Sequence, residues 1–133
     1  MARFKVDVAL RWSDMDVFGH VNNNKFMVLL EEARVAMMFD TAEEAGLTGF
    51  REGVVVARHE VDFLLPVVVP AETSVEIWVE RIGNSSFTFA YDLVANGKVA
   101  LKARSVMVPF NTETQRPRRV TEAERAFLER WTD

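Results

Sequence analysis

The stretch "RWSDMDVFGHVNNNKFMVLLEEAR", Arg11 to Arg34, decides how this chain is read. Its second half is helical. From about Asn23 to Ala45 the apolar residues Phe26, Leu29, Leu30, Ala33 and Met37 recur at three- and four-residue spacing, the interval that places side chains on one helix face. Met27, Val28, Val35 and Met38 widen that stripe, which predicts a helix covered on more than one side. Glu31 and Arg34 are spaced to pair one turn apart, and Gly46 is a natural stop. The first half is different. Two aspartates, one of the chain's 2 histidines, Gly19 and three consecutive asparagines sit between this helix and the segment before it.

That preceding segment, residues 4 to 10, alternates strictly. Phe4, Val6, Val8 and Leu10 fall on one face, with Lys5, Asp7 and Ala9 on the other, the pattern of a half-buried strand. After the helix the chain is β-rich. Val54 to Pro66 is expected to turn Val55, Ala57, His59, Val61, Phe63 and Leu65 to one side. Ser74 to Ile82 points Val75, Ile77 and Val79 inward, and Ser86 to Ala95 does so with Phe87, Phe89, Tyr91 and Leu93. Lys98 to Phe110 contributes Val99, Leu101, Ala103 and Met107. Asn96-Gly97 is a two-residue hairpin signal and Gly83-Asn84 marks a second turn. Arg116, Arg118 and Arg119 belong to a loop. Thr121 with Glu124 three residues later reads as a capping box opening a last helix. The order of strand, long helix and four mostly hairpin-linked strands predicts an α+β domain, an antiparallel sheet curled around one helix. The sheet's other face and its edges would then need cover, which points to self-association.

Bulk properties narrow the function. A length of 133 residues suits one domain with its own core. There is no cysteine, so disulfides and thiolate chemistry are excluded, and a cytoplasmic location is the expectation. A net charge of −4 argues against general affinity for nucleic acid. No apolar run approaches the ~18 residues of a membrane span, so no membrane partner is expected.

Three readings of the polar joint compete. Any of Asn22 to Asn24 suits a helix cap, but capping needs one residue, not six. Asp14, Asp16 and His20 suggest a metal site. Counted as a calcium loop from Asp14, however, Lys25 occupies the position of the bidentate glutamate, and no third strong ligand is near, so no metal is assigned. The third reading is catalytic. The unpaired N–H groups of a helix's first turn suit a developing oxyanion. An aspartate beside them is ionised at neutral pH, a ready nucleophile but a weak base. That combination favours substrates with a good leaving group, such as thioesters.

The segment "DMDVFGHVNNNKF" with "EEAR" (Glu31 to Arg34) resembles the acyl-CoA thioesterases of the hot-dog superfamily, in particular the 4-hydroxybenzoyl-CoA thioesterase-like group. "VDFLLPVVVPAETSVEIWVERIGNSSFTF", Val61 to Phe89, is similar to that family's strand-turn-strand segment. The resemblance implies a long helix wrapped by a five-stranded antiparallel sheet, two such units joining into a continuous sheet. It implies hydrolysis of an acyl-CoA or acyl-carrier-protein thioester, with no cofactor beyond CoA as part of the substrate, by a homodimer or a dimer of dimers. Asp16 takes the catalytic position as nucleophile or water-orienting carboxylate. The oxyanion falls near the Asn23 N–H, His20 and Asn22 shape the site, and Asp14 is a structural hydrogen-bonder. Phe26 stands where relatives often carry Tyr. Gly83, Asn84 and Ser85 stand where relatives often carry basic residues for the CoA phosphates, leaving Arg81, Lys102, Arg104 or the Arg116/Arg118/Arg119 tail for that role. Phe26, His59, Arg81, Ser85 and Ser86 are the candidate substrate-binding residues. The readings against these are a satisfied core or interface histidine for His59, a turn for Ser85-Ser86, and an ion pair with Arg34 for Glu31. A hydratase is disfavoured because His20 lies four residues from Asp16 and six from Asp14 with no intervening proline. A non-catalytic acyl-CoA-binding protein of the same fold is the alternative class.

Overall fold

The computed structural model describes residues 2–133. Strand β1 (Phe4–Val8) leads through the polar joint into α1 (Lys25–Val35). The helix continues without interruption as a wider π-helical segment, Ala36–Thr41, and closes with the single turn α2 (Ala42–Glu44). Four long strands follow: β2 (Val54–Phe63), β3 (Thr73–Ile82), β4 (Phe87–Ala95) and β5 (Lys98–Asn111). A two-residue strand β6 (Arg116–Pro117) and helix α3 (Glu122–Glu129) complete the chain. The strands named here all pair antiparallel and the main sheet runs β1-β3-β4-β5-β2.

The alternating stripes explain the wrap. Val75, Ile77, Val79, Phe87, Phe89, Tyr91, Leu93 and Leu101 are all 1% exposed or less on the concave face, against Leu29, Leu30, Ala33 and Met37 of the helix. Asn96 (φ 49°) and Gly97 (φ 80°) both take the left-handed backbone that a tight β4–β5 hairpin requires, as expected. Gly83 N–H donates to the Ser86 carbonyl at 2.7 Å, closing the other predicted turn. The capping box is present: Thr121 Oγ1 accepts from Glu124 N–H at 3.1 Å and the Glu124 carboxylate accepts from Thr121 N–H at 2.9 Å.

Several expectations need correction. The alternation assigned to β2 breaks at a bulge between Val56 and Arg58. Ahead of it, Val54 and Val56 oppose Pro109 and Met107, so Val55 and Ala57 lose the inward phase. Beyond it, His59, Val61 and Phe63 keep that phase opposite Ser105, Ala103 and Leu101, and the strand stops at Phe63, short of Leu65. A second bulge between Leu93 and Val94 turns Ala100 inward and leaves Val99 half-buried. Such insertions shift a period-two stripe by one residue. Glu31 does not pair with Arg34: Glu31 is exposed, while Arg34 turns under the sheet to donate to Tyr91 Oη at 3.2 Å.

The Arg116/Arg118/Arg119 loop is not simply solvated, since Arg118 grips the fully buried Glu124 through two 2.8 Å bonds and the Gly49 carbonyl at 3.0 Å. The outer sheet face carries ion pairs. Arg104 pairs with Glu80 at 2.9 Å, Lys102 with Asp92 at 3.0 Å, and Arg3 with Asp92 at 3.0 Å while stacking on Trp78. These cross-strand ion pairs suit a solvated surface. What remains bare is the β2 edge, where Val55, Val56 and Phe63 are exposed.

Candidate active site

The polar joint folds into a small docked loop. Met15 bridges Val21, and His20 bridges Val68 of the segment after β2. Val21 N–H donates to Val67 O at 2.7 Å and Val69 N–H to Gly19 O at 3.0 Å, which fixes the loop against residues 67–69. Gly19 has φ +77° with nothing within 4 Å of its missing Cβ. Its role is the turn itself, a conformation costly for other residues.

The two aspartates divide their roles. Asp14 is 3% exposed. Its Oδ2 accepts from Arg11 N–H at 2.8 Å and its carbonyl accepts from Asn22 N–H at 2.8 Å, tying the loop's two ends together. Asp16 is half-buried at the cleft. Its Oδ1 accepts from Phe18 N–H at 2.8 Å and His20 N–H at 3.1 Å, and its own N–H donates to His20 O at 2.7 Å. One carboxylate oxygen is therefore locked by the loop while the other accepts no hydrogen bond among the described residues. Two amide bonds to one oxygen hold the carboxylate plane, so Oδ2 is presented in a fixed direction.

The helix start is open. Asn24 occupies the cap position with helical backbone (φ −74°, ψ −22°) and no side-chain cap bond. The expected asparagine side-chain cap is absent, and the Asn22 backbone carbonyl instead closes a turn by accepting from Lys25 N–H at 2.9 Å. The N–H groups of Asn23 and Asn24, inside that turn, donate to no other group among the described residues. α3 in the same chain is fully boxed. A cleft of about 410 Å³ joins these parts, lined by Asp16, His20, Val21, Asn22, Asn23 and Phe26 on one side and Phe63, Leu64, Leu65 and Pro66 on the other. Phe26 and Phe63 meet at 5.8 Å between ring centroids. A carboxylate and two free amide donors thus share one cleft with a polar and an apolar wall, the equipment for attack on a carbonyl.

Asp16, His20, Asn22, Asn23 and Phe26, expected together from the sequence, all line this cleft. The opposite wall, Leu64 to Pro66, was not foreseen, and its only signal is the proline ending an apolar run. His20, without a derivable role from sequence, holds Asp16 from both backbone groups. The remaining candidates lie elsewhere in the protomer. His59 is four residues along β2 from Phe63, its Nδ1 2.6 Å from Ser105 Oγ. Burial, and then the neighbouring Arg34 charge, lower its pKa below the ordinary histidine value. Arg81, Ser85 and Ser86 sit at the far end of the sheet, where Arg81 opposes Thr88 and Ile82 opposes Phe87. Of the alternative phosphate contacts, Lys102 and Arg104 are engaged in ion pairs on the outer face and Arg118 in the Glu124 clamp. Among the described residues no cluster of His, Cys, Asp or Glu is grouped to hold a metal ion, and no helix is long and apolar enough to cross a membrane.

This hot-dog sheet wrapped on one helix is that of a thioester hydrolase by family and by likeness to solved thioesterases. The chain belongs to the Thioesterase-like superfamily, whose family model matches residues 10–130. Among solved structures it is similar to a protein described as a predicted thioesterase from Bacillus stearothermophilus, at 32% identity and TM-score 0.87 over 99% of this chain and 98% of that one. It is also similar to a thioesterase from Thermus thermophilus, solved with coenzyme A and zinc, at 33% identity and TM-score 0.79 over 96% and 92% of the two chains. The uncharacterised protein YsmA of Bacillus subtilis is 28% identical over 129 residues, 91% of this chain and 82% of that protein.

Proposed function

We propose that this protein is an acyl-CoA thioesterase acting through Asp16 and the open start of α1. The observation that carries the reading is the uncapped helix terminus facing the same cleft as the free oxygen of Asp16. The thioester carbonyl oxygen sits at the Asn23 N–H, where negative charge develops against the helix's partial positive charge. Asp16 Oδ2 either attacks the carbonyl carbon, or aims a water at it. In the first case the C–S bond breaks, CoA leaves as thiolate, and water cleaves the resulting mixed anhydride to free acid and carboxylate. In the second, the water oxygen enters directly and its proton ends on the thiol. Both routes yield one acid and one thiol, with no cofactor beyond the CoA of the substrate.

CoA as the carrier is supported by the coenzyme A bound to the Thermus thermophilus relative. The bare β2 edge supports a homodimer. In an antiparallel β2–β2 pairing the Phe63 end of one copy faces the Val54 end of the other. That brings the second copy's Arg81, Ser85 and Ser86 toward the cleft, where they would meet the CoA phosphates. The charged outer face favours the dimer over a dimer of dimers. Lack of cysteine suits the cytoplasm. An acyl-carrier-protein thioester is the alternative substrate.

Asp16→Asn and Asp16→Ala test the assignment. Asn keeps an oxygen for the Phe18 and His20 amides, so Asp16→Asn should fold with unaltered stability yet hydrolyse acyl-CoAs at least ~100-fold more slowly. Asp16→Ala should lose as much activity and some loop stability as well. Undiminished hydrolysis in both variants refutes the role of Asp16. Saturable acyl-CoA binding by the wild type without hydrolysis would instead identify a binding protein.

A further inference from the structure

Strand β2 ends the sheet order, so one side of its backbone pairs with β5 while no strand pairs the other side among the described residues. A long open edge is a template for another strand, and edges that stay single are commonly blunted with lysine. This edge carries both signs instead. Arg58, Glu60 and Asp62 face outward, alternating with His59, Val61 and Phe63 on the concave side. The order of those charges decides which alignment of two copies the edge accepts.

A two-fold axis normal to the sheet keeps both concave faces on one side and runs the two β2 strands antiparallel. Directly opposed residues then share a face, so the axis passes through a residue and not between two. An axis through Arg58, Glu60 or Asp62 sets that charge against its own copy. An axis through Val61 opposes Glu60 to Asp62 twice. Through His59, Arg58 of each copy meets Glu60 of the other, also twice. Among axes near the middle of the strand, only this one directly opposes no like charges. Within one chain Arg58 already meets Glu60 at 2.6 Å, and the five donors of a guanidinium accommodate a second carboxylate.

The same alignment matches the concave face. The bulge between Val56 and Arg58 is present in both copies. Skipping its extra residue sets Val61 on the second copy's Val56 and Phe63 on its Val54. Val56 is 39% exposed and Phe63 53% exposed in the single chain, so the pairing covers apolar surface that one protomer leaves in water. Phe63 is also a wall of the Asp16 cleft, which one copy alone therefore leaves incomplete.

We propose that a second copy of this chain docks on β2 about a two-fold axis through His59, with Arg58 of each copy opposite Glu60 of the other. The second copy's Val54 then lies against Phe63 and completes the apolar wall of the cleft. This alignment rests on the β2-edge homodimer and not on the chemistry at Asp16.

The chain has no cysteine, so a single introduced one forms disulfides only between copies. Directly opposed residues have Cα atoms about 4.5–5.5 Å apart, within disulfide reach, and a residue meets its own copy only at the axis. Single cysteines at positions 58 to 62, oxidised and followed on non-reducing gels, therefore read the axis directly. His59→Cys should cross-link at least about tenfold faster than the other four. A mixture of Val54→Cys and Phe63→Cys proteins should cross-link although neither does so alone. Arg58→Glu and Glu60→Arg should each weaken self-association, and their mixture should associate at least about tenfold more tightly than either variant by itself, because the mixed pair restores both opposite-charge contacts. Fastest cross-linking at another position, or no gain on mixing, overturns the alignment and leaves the β2-edge dimer standing. A dimeric mass with no cross-link at any position overturns both, and so does a wild type that stays monomeric by light scattering. If His59→Cys does not fold, the two mixtures decide: their formation supports the proposal and the absence of either overturns it.

Discussion

Replacing Asn23 by proline removes, along with its side chain, a backbone N–H hydrogen that the folded protein does not use. Asn23 is the second residue of the turn closed by Lys25 N–H on the Asn22 carbonyl at 2.9 Å, a position where proline is favoured. Its N–H has no acceptor among the described residues. The residue that follows is already helical at φ −74°, so the ring fits the start of α1 much as proline fits first-turn positions elsewhere. Loss of a bond that does not exist has no folding cost, and a stiffer unfolded chain offsets small strain, so stability should stay within about 0.5 kcal/mol of wild type. The catalytic effect is of another size. If this amide receives the oxyanion, its loss should cost about 3 kcal/mol of transition-state stabilisation, a fall of roughly a hundredfold or more in kcat. Thiol release from an acyl-CoA, followed with a thiol-reactive dye, measures the rate, and thermal unfolding checks the fold. A stable Asn23→Pro protein hydrolysing within about threefold of wild type would remove the Asn23 amide from the oxyanion site, and Asn23→Ala, which loses the same cleft-lining side chain but keeps the N–H, separates the two losses.

Two further predictions concern the frame that holds the cleft. Glu124→Ala leaves Arg118 without its carboxylate and should destabilise the protein by about 3 kcal/mol in denaturant titration; a loss under about 1 kcal/mol would contradict a buried clamp. Burial alone would raise the Glu124 pKa, but the Arg118 guanidinium and the Thr121 cap more than offset it, and the folded value lies below the ordinary glutamate value. The clamp's contribution is therefore fully present above that ordinary value and disappears as pH falls through the folded one, so wild type and Glu124→Ala should converge in acid. Gly53→Ala should lose about 2 kcal/mol by the same assay, since Gly53 has φ +133° and a Cβ there would meet the Phe110 carbonyl oxygen at 2.6 Å; unchanged stability would show that the β2 entry can rearrange.

Much of this architecture was legible because period-two and helical stripes report burial directly. The four inner residues of β4 and the helix set Phe26 to Met37 needed no tertiary information, and neither did Asn96-Gly97, whose side-chain chemistry names its turn. The failures share a physical origin. A bulge adds a residue to one strand without leaving a mark in hydrophobicity, so Val55 and Ala57 carried the right composition in the wrong phase. Arg34 looked like a surface partner of Glu31 because helix spacing says which residues are neighbours but not which of them faces inward. Its partner, Tyr91, lies 57 residues away, beyond the reach of any local pattern.

The site was legible to a different degree, because its logic is a matter of which hydrogen bonds are left unmade. Three asparagines before a helix promise a cap, and the sequence alone favours that reading for any one of them. In the folded chain the Asn22 carbonyl closes a turn and no side chain takes the cap, so the helix start stays available to a ligand. Asp14 and Asp16 are chemically identical and two residues apart, yet one is spent on Arg11 and buried while the other keeps an oxygen free at the cleft. Residue type alone does not separate them. What separates them is the loop's docking on residues 67–69, a contact made by backbone groups that every residue carries. A capping motif and an active site can therefore share one composition, and the difference lies in whether the fold satisfies the last donors or leaves them for a substrate.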